Sequence, residues 1–193
     1  MSTVAVVYHS GFGHTAAMAK AVARGASVDG VETQLIPVGA IDQHWDDLKL
    51  ADAIIFGSPT YMGGVSAPFK AFMDASSKAW ATQDWKDKIA AGFTHSASQG
   101  GDKFNTVTQL FTFAMQHGMI WSGLGLLPGN NSSTGSVHDL NRLGSSTGAL
   151  TQSAADQGTD VILESEFRTA EHLGRRVAQV TLQFASQQAL TAD

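Results

Sequence analysis

Three stretches of the chain, TVAVVY at residues 3–8, AIIFGSP at 53–59 and KIAAGFTHS at 88–96, run through apolar, largely β-branched or small residues with no polar alternation. A strand with one wet face alternates apolar with polar side chains, so runs like these belong to strands covered on both sides. Such strands need helices above and below them. The stretches between supply those helices. TAAMAKAVARGA puts Met18, Val22 and several alanines on one helical face and meets a stop signal at Gly25. DQHWDDLKLAD reads as a short helix, APFKAFMDASS as a helix opening near Pro68, and NTVTQLFTFAMQHG as one closed by Gly118. VETQLIPV and MIWSGLGLL complete the strands, and a helix over about residues 165–185 ends the series.

Five strands alternating with helices predict an α/β fold: an open, doubly wound, five-stranded parallel sheet with helices on both faces and strand order 2-1-3-4-5. In that order the chain changes direction between the first and third strands, and ligands bind in the crevice at their carboxyl ends. The length of 193 residues suits one domain, residues 1–193. One segment breaks the rhythm. Residues 128–160, rich in Gly, Ser, Thr and Asn, show no sustained apolar period, and a loop of that length reads as a lid or a subunit contact, with a floppy insertion as the alternative.

Composition removes several classes of function. The absence of cysteine excludes a thiol nucleophile, a disulfide framework and thiolate metal or iron–sulfur sites. A net charge of −5 lacks the basic stripe that nucleic acid requires. No apolar run approaches the roughly 18 residues of a membrane span, and no secretory leader is apparent, so the expectation is a cytoplasmic protein without a membrane role. The histidines show no metal-ligand pairing, and no metal is expected.

Three loops follow the strands at the predicted crevice. HSGFGHT, residues 9–15, with the Ala16 that follows it, carries Gly11, Gly13 and Ala16 in the spacing of a dinucleotide fingerprint. That reading also needs an acid at the end of the second strand, about 20 residues on, and Glu32 stands at the strand's start instead. No Gly-Lys-[Ser/Thr] follows, which excludes a Walker loop. What remains is a cradle of backbone N–H groups, helix dipole and the Ser10 and Thr15 hydroxyls suited to one phosphate, or else a tight β-to-α turn. GSPTYMGGVSAP, residues 57–68, exposes Tyr61 and Met62 at a turn fixed by Pro59, Gly63 and Gly64, where an aromatic ligand face would rest. THSASQGGD, residues 94–102, lets the backbone approach a heterocycle edge closely.

The stretches HSGFGHT, GSPTYMGG, WATQDWKDK, SASQGG and QHGM occur in the order seen in flavodoxin-like FMN proteins. The chain resembles, in particular, the WrbA-type NAD(P)H:quinone oxidoreductases over about residues 3–123. The resemblance implies that Ser10, Gly11, Phe12, Gly13, His14 and Thr15 hold the FMN phosphate, and that Pro59, Thr60, Tyr61, Met62 and Gly63 border the ring and ribityl chain. It further implies that Ser96, Ala97, Ser98, Gln99, Gly100 and Gly101 bind the pyrimidine edge. His117 corresponds to a family histidine beside the flavin and is the implied catalytic residue, with Trp80 lining the substrate side and Phe12 at the entry of the nicotinamide donor. The family's late Gly-Thr-Pro-Tyr-Gly signature stands here as GSSTG, residues 144–148. The implied activity is transfer of two electrons from NADH or NADPH to a quinone-like acceptor by a ping-pong cycle, in a homo-oligomer, either a dimer or a tetramer. A flavodoxin-type electron carrier and a non-catalytic FMN-binding protein are the alternatives.

Overall fold

The computed structural model describes residues 1–191. Its elements run β1 (Ser2–Tyr8), α1 (His14–Ala26), β2 (Val31–Pro37), α2 (Trp45–Leu50), β3 (Ala53–Tyr61), β4 (Gly64–Val65), α3 (Ala67–Ala75), α4 (Ser77–Ala81), β5 (Ile89–Ser96), α5 (Lys103–Gln116), β6 (Ile120–Trp121), β7 (Ala149–Gln152) and α6 (Glu164–Thr191). The parallel sheet has the order β2-β1-β3-β5-β6, with β7 also beside β5 and β4 folded back on β3 as a short antiparallel hairpin. Leaving that hairpin aside, the order is the predicted 2-1-3-4-5, and the fold is flavodoxin-like.

Both faces of the central strands are covered, as their unbroken apolar runs require. Val4, Val6 and Ile55 pack with Met18, Val22, Leu173 and Val177 from α1 and α6. Their sequence neighbours Ala5, Val7, Ile54 and Phe56 face the opposite way, into Leu48, Phe69, Phe72, Trp85, Leu110 and Phe113.

Two sequence expectations change. The fifth strand position is divided between two segments. Only Ile120 and Trp121 pair with the start of β5, opposite Ile89 and Ala90, whereas residues 149–152, within the irregular stretch, pair with Phe93 to Ser96. The chain leaves the sheet after β6 and re-enters the same edge as β7, so MIWSGLGLL is not one strand and the 128–160 segment is partly sheet. The segment is also anchored. Buried Asn141 exchanges hydrogen bonds with Ser145, giving Nδ2 to its carbonyl and accepting its N–H, each at 2.9 Å.

Gly25 does not stop α1, which continues to Ala26. It is a contact glycine: a Cβ there would stand 1.9 Å from the Glu171 carbonyl oxygen of α6, and one on Gly174 would stand 1.9 Å from the Val22 carbonyl oxygen of α1. The two helices cross backbone against backbone. Gly118 behaves as expected, with φ +71 just after α5 and its N–H bonded to the Met115 carbonyl.

Candidate functional site

At the carboxyl ends of β1, β3 and β5, the three loops enclose a cavity of about 540 Å³, within the range of small-molecule sites. The first loop is built for an anion. The Gly13 N–H is taken by Ser10 Oγ at 3.1 Å. The N–H groups of His14, Thr15 and Ala16 have no carbonyl one turn before them to bond, so they stay available at the positive end of the α1 dipole. Thr15 is buried at the cavity wall. Tyr61 reaches across from the second loop and its oxygen accepts the Gly11 N–H. Burial raises the phenol, with that N–H opposing. A side chain at residue 11 would meet this oxygen at 2.5 Å, so glycine here lets the two loops close together.

The second loop is the tip of the β3–β4 hairpin, where Met62 and Gly63 both take positive φ, 47 and 84, the geometry that matches the twist of paired strands. Asn105 Nδ2 holds the Gly63 carbonyl at 2.6 Å, and Gln109 Oε1 accepts the Val65 N–H at 3.0 Å. Thus α5 fixes the hairpin from outside. Phe12, 82% exposed, and Met62, fully exposed, stand at the mouth, with Phe12 edge-on to Tyr61 at 6.2 Å.

The third loop is organised by Lys103, which is wholly buried and donates to the carbonyls of Ser98 and Gln99. Because N–H and C=O of a trans peptide point in opposite directions, the N–H groups of Gln99 and Gly100 turn away from the lysine. Burial brings the ammonium down to about 8, opposed by Glu166 and assisted by Arg142. Those two form a buried ion pair. Arg142 also donates to Gln152 Oε1 at 2.8 Å, and Gln152 in turn donates to the Ala97 carbonyl at 2.8 Å, so the late segment and the third loop are tied together.

Phe12, His14 and Thr15, residues 59–63, and Ser96, Ala97, Ser98 and Gly101 all line the cavity. Ser10 and Gly13 line a smaller hollow of about 230 Å³ on the other side of the first loop, and Gly11, Gln99 and Gly100 contribute backbone without lining either space. His117 and Trp80 are not brought to this cavity. They lie together in a separate hollow of about 320 Å³ at the far end of α5. The reason is direction: α5 starts at the third loop and returns antiparallel to β5, and its 14 residues span about 21 Å. His117, 4% exposed, lies against Trp85 at 4.2 Å and Phe113 at 4.9 Å. The Ser76 hydroxyl gives its proton to the Met73 carbonyl and therefore accepts from His117 Nε2, at 2.9 Å. That leaves Nδ1 buried without a hydrogen-bond partner among the described residues. Burial lowers its pKa to about 4.

Sequence reasoning placed residues 94–102 at the crevice without singling out His95 or Asp102, and did not name residues 153–155; all of these except Thr94, Gln99 and Gly100 line the cavity. His95, 6% exposed, stacks on His14 with centroids 5.1 Å apart and planes within 4°. Its signal was its place near the carboxyl end of a strand that opens as an apolar run. The donor set of the cavity suits FMN. His14 and the buried Thr15 bring the start of α1 to one end, small residues line a slot between hairpin and third loop, and the volume accommodates a flavin.

The family model of NADPH-dependent FMN reductases matches residues 6–127. The chain belongs to this family. It is 45% identical to Flavodoxin FldP of Pseudomonas aeruginosa over 183 residues, covering 93% of this chain and 97% of the relative. It is 30% identical to an NAD(P)H dehydrogenase (quinone) of Acidithiobacillus ferrooxidans over 200 residues, covering 94% and 98%. Among solved structures, a flavodoxin, WrbA-like protein from Agrobacterium tumefaciens superposes with a TM-score of 0.75 at 41% identity, over 95% of this chain and 99% of that one. The family match ends at residue 127, a few residues after the chain leaves the sheet at the end of β6.

Proposed function

We propose that the chain is an FMN-dependent oxidoreductase that takes two electrons from NADH or NADPH and passes them to a quinone or a similar acceptor, the two substrates using one mouth in turn. The observation that carries this reading is the open apolar rim, with Phe12 and Met62 exposed on either side of the Tyr61 edge. Such a rim admits flat molecules to the cavity. When bound, FMN supplies the hydride and electron chemistry that no protein side chain offers. The protein's part is to hold and orient. The N–H groups of His14, Thr15 and Ala16 and the Thr15 hydroxyl would fix the phosphate, residues 59–63 would border the ring and ribityl chain, and residues 96–101 would present backbone groups to its polar edge.

His117 and Trp80 can enter this chemistry only from a neighbouring copy, because their hollow lies at the opposite edge of the sheet; that makes a homo-oligomer, a dimer or tetramer, part of the proposal. Full turnover by a strictly monomeric protein in sedimentation experiments would remove both residues from the site. The FMN-loaded protein is expected to oxidise NADH or NADPH with benzoquinone as acceptor under steady-state assay. A yellow protein that turns over neither donor would favour the electron-carrier reading, which the 45% identity to a protein named flavodoxin supports.

Lys103 offers a test of the third loop. Lys103→Met leaves the Ser98 and Gln99 carbonyls without their buried donor, a loss of about 1–3 kcal/mol that the loop relieves by moving. FMN affinity, followed by quenching of flavin fluorescence, is expected to fall roughly tenfold. An unchanged dissociation constant would mean that the lysine does not support the flavin site.

A further inference from the structure

A phosphate monoester is a dianion, yet the residues lining the cavity include neither lysine nor arginine, and Asp102 adds a carboxylate. The wall's possible cations are two imidazoles, His14 at the first turn of α1 and His95 at the end of β5, stacked face to face.

The hydrogen bonds around His95 place a proton on Nδ1 in the free protein, and burial keeps the ring neutral. Thr151 Oγ1 gives its single proton to the Thr94 carbonyl, at 3.1 Å, so toward His95 it is an acceptor, and Nδ1 donates to it at 3.0 Å. In the neutral ring that burial favours, Nε2 is then the bare nitrogen, and Ser153 Oγ, 3.1 Å away, donates to it. The Ser153 hydroxyl proton is therefore held by the ring. The charged groups about His95 are His14 from α1, Lys103 beneath the third loop with the Arg142–Glu166 pair beyond it, and Asp102 across the cavity; the late segment presents the uncharged Thr151 and Ser153. Burial, with His14 and Lys103 nearby, lowers the His95 pKa to about 3 in the free site.

We infer that the stacked His14–His95 pair is the proton-accepting part of the phosphate subsite, so that FMN binding takes up a proton from solvent. A dianion at the start of α1 reverses the local field and favours a cationic imidazole. Once His95 is protonated, Nδ1 still donates to Thr151 while Nε2–H donates to Ser153 Oγ. The Ser153 O–H is thereby released into the cavity, where it becomes a donor for a phosphate oxygen. One proton enters from water, none leaves, and the late segment gains a ligand group only when the anion is present. His95 is a positioning residue in this scheme, acting through Ser153.

The inference rests on the FMN reading, and the test separates the two. The full-length chain freed of flavin is titrated calorimetrically with FMN and with riboflavin at pH 7.5, in buffers of different ionisation enthalpy. FMN is then almost wholly dianionic, its phosphate having a second pKa near 6. FMN is expected to bind with uptake of about one proton and riboflavin with none. FMN affinity is expected to weaken up to tenfold per pH unit above neutrality, while riboflavin affinity stays flat. His95→Asn keeps an N–H for Thr151 and is expected to reduce the uptake and flatten the FMN profile; His14→Gln, on the stacking partner, is expected to reduce it too. FMN binding without proton uptake, or equal uptake with riboflavin, would overturn the inference and leave the FMN reading intact. Binding of neither flavin would overturn both.

Discussion

Gly174→Ala is expected to destabilise the protein by about 3 kcal/mol or more, near the upper end of what overpacking a core does. The new methyl would stand 1.9 Å from the Val22 carbonyl oxygen and 2.9 Å from the Ala26 nitrogen. Both are main-chain atoms of α1, so no side chain can swing aside and the helices must separate. Alanine in place of glycine favours a helix interior by about 1 kcal/mol, and the clash outweighs that gain. Separation would also strip contacts from Met18, Val22, Leu173 and Val177. Because α1 carries the phosphate cradle at its first turn, FMN affinity is expected to fall with stability. Gly39→Ala is the control, since a Cβ there meets nothing within 4 Å and leaves the urea midpoint unchanged. A Gly174→Ala protein as stable as the parent would show that the helices can shift without loss.

The contact glycines show where sequence reading succeeds and fails. A strand covered on both faces announces itself in residues 3–8 and 53–59, because burial on both sides forbids polar alternation. Gly25 is ambiguous in the same sequence. A glycine near a helix end has the composition of a stop, and only its partner Gly174, far along the chain, reveals a crossing. The divided fifth strand fails for a related reason. Residues 149–152 form only a short strand, too brief to show a period within a polar stretch.

The site was legible as loops and less so as side chains. Small and turn-forming residues after three apolar runs locate the cavity, since parallel strands deliver their carboxyl ends to one edge. Lys103 directly follows a Gly-Gly-Asp turn and reads as a solvated helix start; lysine is almost never buried unless its charge is met, and its carbonyl partners cannot be seen in one dimension. His117 and Trp80 are different. The crossover helix must return antiparallel to the strands, so a residue in the last turn of α5 belongs at the amino edge of the sheet. The order of the elements along the chain is therefore enough to separate His117 from the cavity.

The same His117, with His95, is expected to make the flavin-free protein acid-labile well above the range where carboxylates titrate. Unfolded, each histidine takes a proton as pH falls below about 6.5. Folded, burial holds them neutral down to about 4 and about 3 respectively. The unfolded state therefore binds more protons over this interval, and stability must fall with pH. At pH 5 the loss is about 2 kcal/mol for each group, a sizeable share of the roughly 5–15 kcal/mol that holds a domain together. Burial also lowers His9 and His172, with the same sign, whereas Glu166, raised by burial against the pull of Arg142, acts in the opposite direction. The urea midpoint is expected to drop steadily from pH 7 to pH 5, and His117→Gln to make the slope shallower. A midpoint unchanged over this interval would show that the two rings take up their protons in the folded chain as they do in the unfolded one. Adding FMN separates the two: if the anion drives a proton onto the His14–His95 pair, the folded chain binds that proton before the unfolded one does, so the His95 contribution reverses sign in the loaded protein, whereas the His117 share, at the far end of α5, remains.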